Sequence, residues 1–199
     1  MTTKQRIIGL TGGISTGKTT VANYLATAYK LPILDADIYA REAVAAGTKA
    51  LKAIAHRYGE QILLADGSLN RQQLGTIVFN NDSERRWLEG QIHPEVRDRF
   101  IQEIKPLSTS SIVLVIPLLF EAQMTDLVTE IWVVYCSKQQ QLARLMERDR
   151  LTLAAAAARI NSQMPVEEKC DRTDIVLDNS STLKALLQQV DAAIKMHNS

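Results

Sequence analysis

The chain has 199 residues, of which 46% are hydrophobic and 23% charged, and its formal net charge at pH 7 is +1. This composition is typical of a soluble globular protein with enough apolar residues for a core. It gives no general attraction to nucleic acid or to an acidic membrane. No apolar stretch approaches the ~20 residues that a membrane-spanning helix needs, and the first apolar run is too short for a secretion signal, so we expect a cytoplasmic protein.

The first predicted elements are a strand, a loop and a helix, which follow one another near the start of the chain. An apolar run over 6–11 predicts a buried strand, Gly12–Thr19 fits the pattern G-x-x-x-x-G-K-[ST], and residues 20–26 have helical spacing. The loop N–H groups and the helix dipole would attract phosphate. Lys18 is placed to reach the β- and γ-phosphates, and the Thr19 hydroxyl to bind Mg²⁺. The sequence therefore predicts a nucleotide site made by Gly13, Ile14, Ser15, Thr16, Gly17, Lys18, Thr19 and Thr20.

Four further apolar segments have the character of buried strands. They cover residues 31–34, 111–116, 130–135 and 174–177, and helical patterns lie between them. This alternation predicts an α/β fold of the P-loop NTPase type, in three αβα layers around a parallel five-stranded sheet. Ligands of such sheets bind at the carboxyl ends of the strands, so the polar residues that follow each strand are candidates for the site.

Residues 48–105 form a predicted helical insertion. A helical stripe ends at Gly59, a second helix is predicted over 69–79, and Asn81 has the pattern of a cap for a third. His93 precedes Pro94, which favours an N-cap of a further helix over a substrate contact. We predict no strand in this region, and its size is sufficient to bind part of a substrate.

Residues 138–165 form a second unusual block, rich in arginine. Arg144 and Arg148 lie four apart and would share one helix face. Such a charge run usually marks a solvated helix, but in a P-loop protein arginines on a mobile segment can close over the transferring phosphate. We therefore predict a helical lid here. The last helix has an apolar stripe over 183–194 that is predicted to pack on the sheet, Leu183 included, with Ser180 and Ser181 as its expected caps.

These elements divide the chain into parts of one folding unit, residues 1–199. The predicted nucleotide-binding core comprises residues 1–47, 106–137 and 166–199, the helical insertion 48–105, and the lid 138–165.

Asp35-Ala36-Asp37 follows the second predicted strand. In an extended chain, alternation would direct residues 35 and 37 to the same side. Two carboxylates at the ligand edge suggest acid–base or metal chemistry, while one of them could cap the helix predicted over 38–46. Arg41 lies one helical turn beyond Asp37.

The third predicted strand is followed by Pro117–Glu121. A hydrolase of this fold would carry a metal-organising Asp at such a strand end, and here the position holds proline. This disfavours a motor or a switch GTPase and favours a small-molecule kinase. Cys136, at the end of the fourth strand, is predicted to fill the core.

The order and spacing of several motifs resemble those of dephospho-CoA kinases over nearly the full chain. The motifs are Gly9–Ile14 with the phosphate loop, Asp35–Asp37 with Arg41, His93-Pro94, Pro117–Glu121, Arg159-Ile160 with Gln163–Pro165, and Asp174 with Asp178-Asn179. The resemblance implies that ATP, with Mg²⁺, phosphorylates the ribose 3′-hydroxyl of dephospho-CoA and that the helical insertion binds CoA. It implies Asp37 as the base and Lys18, Arg144 and Arg148 as further catalytic residues, with Asn179 near the adenine. The implied acceptor-side residues are Asp37, Arg41, Arg71, His93, Leu118, Leu119, Phe120 and Glu121.

One departure from the family pattern lies in the phosphate loop. The family usually has Gly-Gly-Ile-Gly-Ser-Gly-Lys-Ser, whereas this chain has Ser15-Thr16 before Gly17 and Thr19 after Lys18. Thr19 keeps the hydroxyl that metal binding needs, whereas Ser15 requires a loop conformation that tolerates a Cβ atom. We expect weakened nucleotide affinity at most.

Three other interpretations are weighed against this one. A kinase of the same architecture could act on a nucleoside or nucleotide, which the generic loop does not exclude. A nucleotide-dependent regulator associated with nucleic acid is disfavoured by the near-neutral charge. A degenerate binding module would need a broken site, and none of the expected polar residues is missing. The oligomeric state has no signal in the sequence.

Overall fold

The computed structural model describes residues 5–79 and 81–196. Its centre is a five-stranded sheet in the order β2-β3-β1-β4-β5. The strands are β1 (Arg6–Gly12), β2 (Ile33–Asp35), β3 (Ser111–Val115), β4 (Glu130–Tyr135) and β5 (Ile175–Asp178). The predicted parallel αβα fold is confirmed, with β1 pairing in parallel with both β3 and β4. The phosphate loop therefore follows the central strand.

The helices are α1 (Lys18–Ala28), α2 (Ala36–Ala43), α3 (Lys49–Tyr58), α4 (Arg71–Phe79), α5 (Asp82–Ile104), α6 (Lys138–Asp149), α7 (Leu153–Asn161), α8 (Val166–Cys170) and α9 (Leu183–Lys195). Short 3₁₀ turns cover Glu60–Ile62 and Thr125–Leu127. Among these helices none is both long and apolar enough to cross a membrane.

The chain forms two compact units, residues 1–34 with 107–199 and residues 35–106. In the first, apolar side chains of β1 and β4 pack with one face of α1 and one face of α9. The buried members from the helices are Val21, Ala22 and Leu25 of α1 and Leu186, Val190, Ala193 and Ile194 of α9. Cys136 is buried, as predicted.

The second unit is helical and has its own core. Val44, Leu51, Ile54, Ile62 and Leu74 are buried together in it. Beside this core, the Arg57 guanidinium lies 4.5 Å from the centre of the Trp87 ring and pairs with Glu84 at 2.7 Å.

The bounds of this unit differ from those of the predicted insertion. Residues 35–106 contain α2 as well as the region predicted as an insertion. The division into core, insertion and lid stays a prediction.

Three local predictions are wrong. Pro94 does not begin a helix, because α5 runs through it from Asp82 to Ile104. Packing of α5 against α2, α3 and α4 outweighs the hydrogen bond that proline removes. His93 is consequently inside α5 and caps nothing. The cap of α9 is Thr182 rather than Ser180 or Ser181, and Leu183 is 57% exposed rather than buried.

Candidate active site

The phosphate loop begins where β1 ends and stops where α1 begins. Gly17 is the N-cap of α1, with φ +109°, and Gly12 has φ +145°. A Cβ on Gly12 would lie 2.4 Å from the Val134 carbonyl oxygen, and one on Gly17 would lie 2.4 Å from Asn179 Nδ2. Both positions therefore require glycine. Because the N-cap has no side chain, the first-turn N–H groups of α1 are left for an anion.

The Lys18 side chain contacts the first residues of the phosphate loop. Its Nζ atom donates to the carbonyl oxygens of Gly12 at 3.0 Å and Gly13 at 2.7 Å. The Thr16 hydroxyl donates to the same Gly13 carbonyl at 2.9 Å, and Thr16 is fully buried. The lysine charge is thus held at the loop itself, which is where the sequence predicted a phosphate contact.

Ser15 adopts the left-handed conformation that the family's usual glycine would favour. Its φ is +59°, and its hydroxyl is shielded from solvent without a hydrogen-bond partner in the described part of the chain. A non-glycine residue in this conformation costs about 1–3 kcal/mol, and an unsatisfied buried hydroxyl adds about 1–3 kcal/mol. The loop therefore keeps its shape despite the serine, at a cost in stability.

Replacing Ser15 by glycine is expected to stabilise the protein. Ser15→Gly should raise the free energy of unfolding by about 1 kcal/mol or more and leave ATP binding unchanged or tighter, because both unfavourable features disappear and only part of the gain is offset by the greater entropy of glycine in the unfolded chain. Ser15→Ala separates the effect of the backbone conformation from that of the unpaired hydroxyl, since it removes the hydroxyl and keeps the Cβ. Denaturant unfolding with ATP titrations measures both effects. A loss of stability in Ser15→Gly would contradict the proposed strain.

Asn179 contacts the phosphate loop, and Arg144 contacts Asn179. Asn179 Nδ2 donates to the Thr16 carbonyl at 2.8 Å, and Arg144 donates through Nη2 to the Asn179 carbonyl at 3.0 Å. A neighbouring bond from Gln140 Nε2 to the Ser180 carbonyl, 2.9 Å long, fixes the same β5–α9 connection to α6. The structure thus brings Asn179, Arg144 and the phosphate loop together, as predicted residues of one site.

Arg148 is engaged elsewhere. Its guanidinium pairs with Asp149 at 2.7 and 3.1 Å, and Asp149 also pairs with Arg159 at 2.9 Å. The hydrogen bonds from Arg148 lower the pKa of Asp149, with the charge of Arg159 adding to the effect. Arg144 and Arg148 both lie in α6, but Arg144 bonds to Asn179, which in turn contacts the loop, whereas Arg148 bonds to Asp149.

The segment after β3 is held by residues that sequence reasoning did not select as site residues. Glu121 Oε1 accepts from Lys169 Nζ at 2.9 Å and from the Met164 N–H at 3.0 Å. Lys169 is fully buried. Burial of a lysine has no signal in a single sequence, since its neighbours Glu167 and Glu168 indicate a solvated helix.

The hydrophobic residues of this segment differ in exposure. Leu119 is fully buried and presents no surface to a ligand in this conformation. Phe120 is 7% exposed, and the Arg172 guanidinium lies 4.5 Å from the centre of its ring. Leu118 is half-buried. Leu119 therefore has a packing role in this conformation, and the acceptor-side role of Leu118, Leu119 and Phe120 stays a prediction.

Asp35 and Asp37 do not alternate along a strand. β2 ends at Asp35, which is the N-cap of α2, and its carboxylate accepts the Asp37 N–H at 2.8 Å. Asp37 lies in the first turn of α2, where the helix dipole favours a negative charge. The alternation argument is wrong because the chain becomes helical at Ala36, while the capping alternative is confirmed for Asp35.

The other predicted acceptor-side residues belong to the helical unit. Arg41 lies in the last turn of α2, and its carbonyl accepts from Arg71 Nη2 at 3.2 Å. His93 is half-buried in α5, and this burial lowers its pKa below the usual 6.5 despite the opposing charge of Glu89. The His93 imidazole is therefore neutral at pH 7, where it can both donate and accept one hydrogen bond.

Comparison with known proteins shows the family of this chain. A family model described as dephospho-CoA kinase matches residues 6–185. A dephospho-CoA kinase from Trichormus variabilis is 66% identical over 190 residues, which cover 96% of this chain and 97% of that protein. The chain belongs to the dephospho-CoA kinase family. The match includes both the phosphate loop and the helical unit.

Solved structures give the same family. A dephospho-CoA kinase from Campylobacter jejuni has 28% sequence identity and a TM-score of 0.71, with 96% of each chain covered. The protein TT1252 from Thermus thermophilus has 31% identity and a TM-score of 0.82, covering 98% of this chain and 99% of its own. The backbone described above is therefore similar to solved structures along almost its whole length.

Proposed function

We propose that this protein transfers the γ-phosphate of ATP to the ribose 3′-hydroxyl of dephospho-CoA, giving CoA and ADP. The observation that supports this most directly is the match to dephospho-CoA kinases over residues 6–185, in a chain whose phosphate loop is intact on the central strand. In this proposal the phosphate loop binds ATP and the helical unit binds the acceptor.

On the nucleotide side, the loop from Gly13 to Thr20 holds the phosphates of ATP. Its N–H groups and the α1 dipole stabilise negative charge, and Lys18 exchanges its carbonyl partners for the β- and γ-phosphates. Arg144 and Arg148 stabilise the charge of the transferring group from the lid. Asn179, whose side chain lies against the loop, contributes to the adenine end of the site.

The residues present fit a magnesium ion. Thr19 lies exposed in the first turn of α1, directly after Lys18, so its hydroxyl is available to an ion beside the phosphates. Mg²⁺ needs few protein ligands, because it keeps several waters and binds the substrate phosphates. When bound, it would neutralise charge that develops on the phosphate oxygens.

On the acceptor side, Asp37 acts as the base. Its carboxylate takes the proton of the 3′-hydroxyl as that oxygen bonds to the γ-phosphorus, and the bond from phosphorus to the ADP oxygen breaks. The other acceptor-side residues in this proposal are Arg41, Arg71, His93, Leu118, Leu119, Phe120 and Glu121. Arginines suit the phosphates of a CoA precursor because their guanidinium groups bind phosphate in pairs of hydrogen bonds.

The test measures ADP release from Mg·ATP with dephospho-CoA, adenosine and AMP as separate acceptors. Turnover with dephospho-CoA alone, together with CoA identified by its mass, is the expected result. Turnover with adenosine or AMP and none with dephospho-CoA would refute the proposal and indicate a nucleoside or nucleotide kinase. A cytoplasmic location stays a prediction.

A further inference from the structure

Lys169 is a buried charge with no assigned task. It lies in the short helix α8, and its side chain is inaccessible to solvent. Burying an ammonium group is costly unless it is paired and hydrogen-bonded. Its position therefore depends on the groups that it contacts.

The contacts of Lys169 lie on the segment that follows β3. Nζ pairs with Glu121 Oε1 at 2.9 Å and donates to the Pro117 carbonyl at 2.8 Å. The Thr11 hydroxyl, one residue before the phosphate loop, donates to the same carbonyl at 3.2 Å. A single ammonium group thus connects α8 to both ends of Pro117–Glu121 and, through Thr11, to the end of β1.

The chain just before α8 contacts the phosphate loop directly. Gln163 Oε1 accepts from the Ile14 N–H at 3.0 Å, and the next residue, Met164, donates its N–H to Glu121 Oε1 at 3.0 Å. Residues 163–169 therefore contact the phosphate loop and the Pro117–Glu121 segment at the same time. These hydrogen bonds fix the distance between the two segments.

The Glu121 carboxylate depends on Lys169. Its second oxygen, Oε2, is shielded from solvent and has no hydrogen-bond partner among the residues that the structure describes. Compensation for its charge comes from Lys169 and from the Met164 N–H. Without the Lys169 ammonium group, the Glu121 carboxylate would be a poorly compensated charge in a shielded position. It would therefore have to move away from that position.

We propose that Lys169 is a positioning residue of the phosphoryl transfer, which acts by holding Glu121 at a fixed place relative to the phosphate loop. This inference rests on the proposed function, which gives Glu121 to the acceptor side. Displacement of a substrate-positioning group by about 1 Å can cost about 10²-fold in rate. Lys169→Met should therefore lower kcat/KM for dephospho-CoA by about 10²-fold. It should leave KM for ATP nearly unchanged.

The test is a double-mutant cycle of Lys169→Met and Glu121→Gln, with kcat and both KM values measured for each variant. If Lys169 acts through Glu121, the double variant should be no less active than Glu121→Gln alone, because no uncompensated carboxylate remains. Losses that multiply would overturn the proposal, as would normal kcat/KM in folded Lys169→Met. Lys184→Met, an exposed lysine of α9, is the matched control and should behave as the unmodified protein.

The cycle also works if Lys169→Met fails to fold. The double variant removes both charges together, and it is then compared with Glu121→Gln alone. Equal kcat/KM supports the inference, and a much lower value in the double variant refutes it. The unmodified protein is assayed first with dephospho-CoA. If the unmodified protein shows no turnover, the proposed function itself has failed. That result does not depend on any of the variants, so it is distinguishable from a failure of the inference about Lys169.

Discussion

Asp37→Asn is expected to lower kcat by about 10²–10⁴-fold, the usual contribution of a positioned general base. The amide has nearly the shape of the carboxylate but cannot accept the proton of the acceptor hydroxyl. ATP affinity should stay nearly the same, because the proposed phosphate contacts come from the loop over Gly13–Thr20 and not from Asp37. Steady-state rates with dephospho-CoA and a binding titration with ATP measure the two quantities separately.

Asp35→Asn is the matched control for this prediction. It makes the same chemical change two residues earlier, at the N-cap of α2, where the Asp35 carboxylate accepts the Asp37 N–H at 2.8 Å. Asn caps helices as well as Asp does, so we expect kcat to change by less than about threefold. Equal losses in the two variants would indicate damage to α2, and normal turnover in Asp37→Asn would refute the role of Asp37 as the base.

The sheet and the phosphate loop were predictable from the sequence because their signals are local. The apolar run at 130–135 coincides with β4, and the run at 6–11 differs from β1 only by Gly12. Parallel strands are buried on both faces, so their residues are almost all apolar. The loop has a further constraint, since only glycine fits at Gly12 and Gly17.

Two of the remaining errors have non-local causes, and the error at Asp35 and Asp37 has a local one. Proline usually marks a helix start, yet Pro94 lies within α5 because that helix packs along its length against three others. The strand-like alternation of Asp35 and Asp37 fails because a cap at Asp35 ends the strand. The burial of Lys169 depends on Glu121, which is 48 positions away in the sequence, so no pattern around Lys169 reveals it.

The charge of Lys18 is expected to matter for catalysis more than for stability. Lys18→Met keeps most of the side-chain stem and removes the ammonium group that now donates to Gly12 and Gly13. Because the proposed role of that group is to stabilise negative charge as the phosphoryl group leaves ADP, kcat should fall by about 10²–10³-fold. Single-turnover rates at saturating ATP measure the chemical step apart from binding.

Stability and catalysis are separable at Lys18 because the two effects depend on different partners. The hydrogen bonds to the loop carbonyls are present without nucleotide, so their loss should lower the melting temperature measured in the absence of ATP. The effect on the rate requires the nucleotide phosphates. Lys184→Met again controls for the loss of one exposed charge. If Lys18→Met is less stable but retains its single-turnover rate, Lys18 maintains the loop and has no catalytic role. If the rate falls in a variant that still binds ATP, the charge acts on the transferring phosphate.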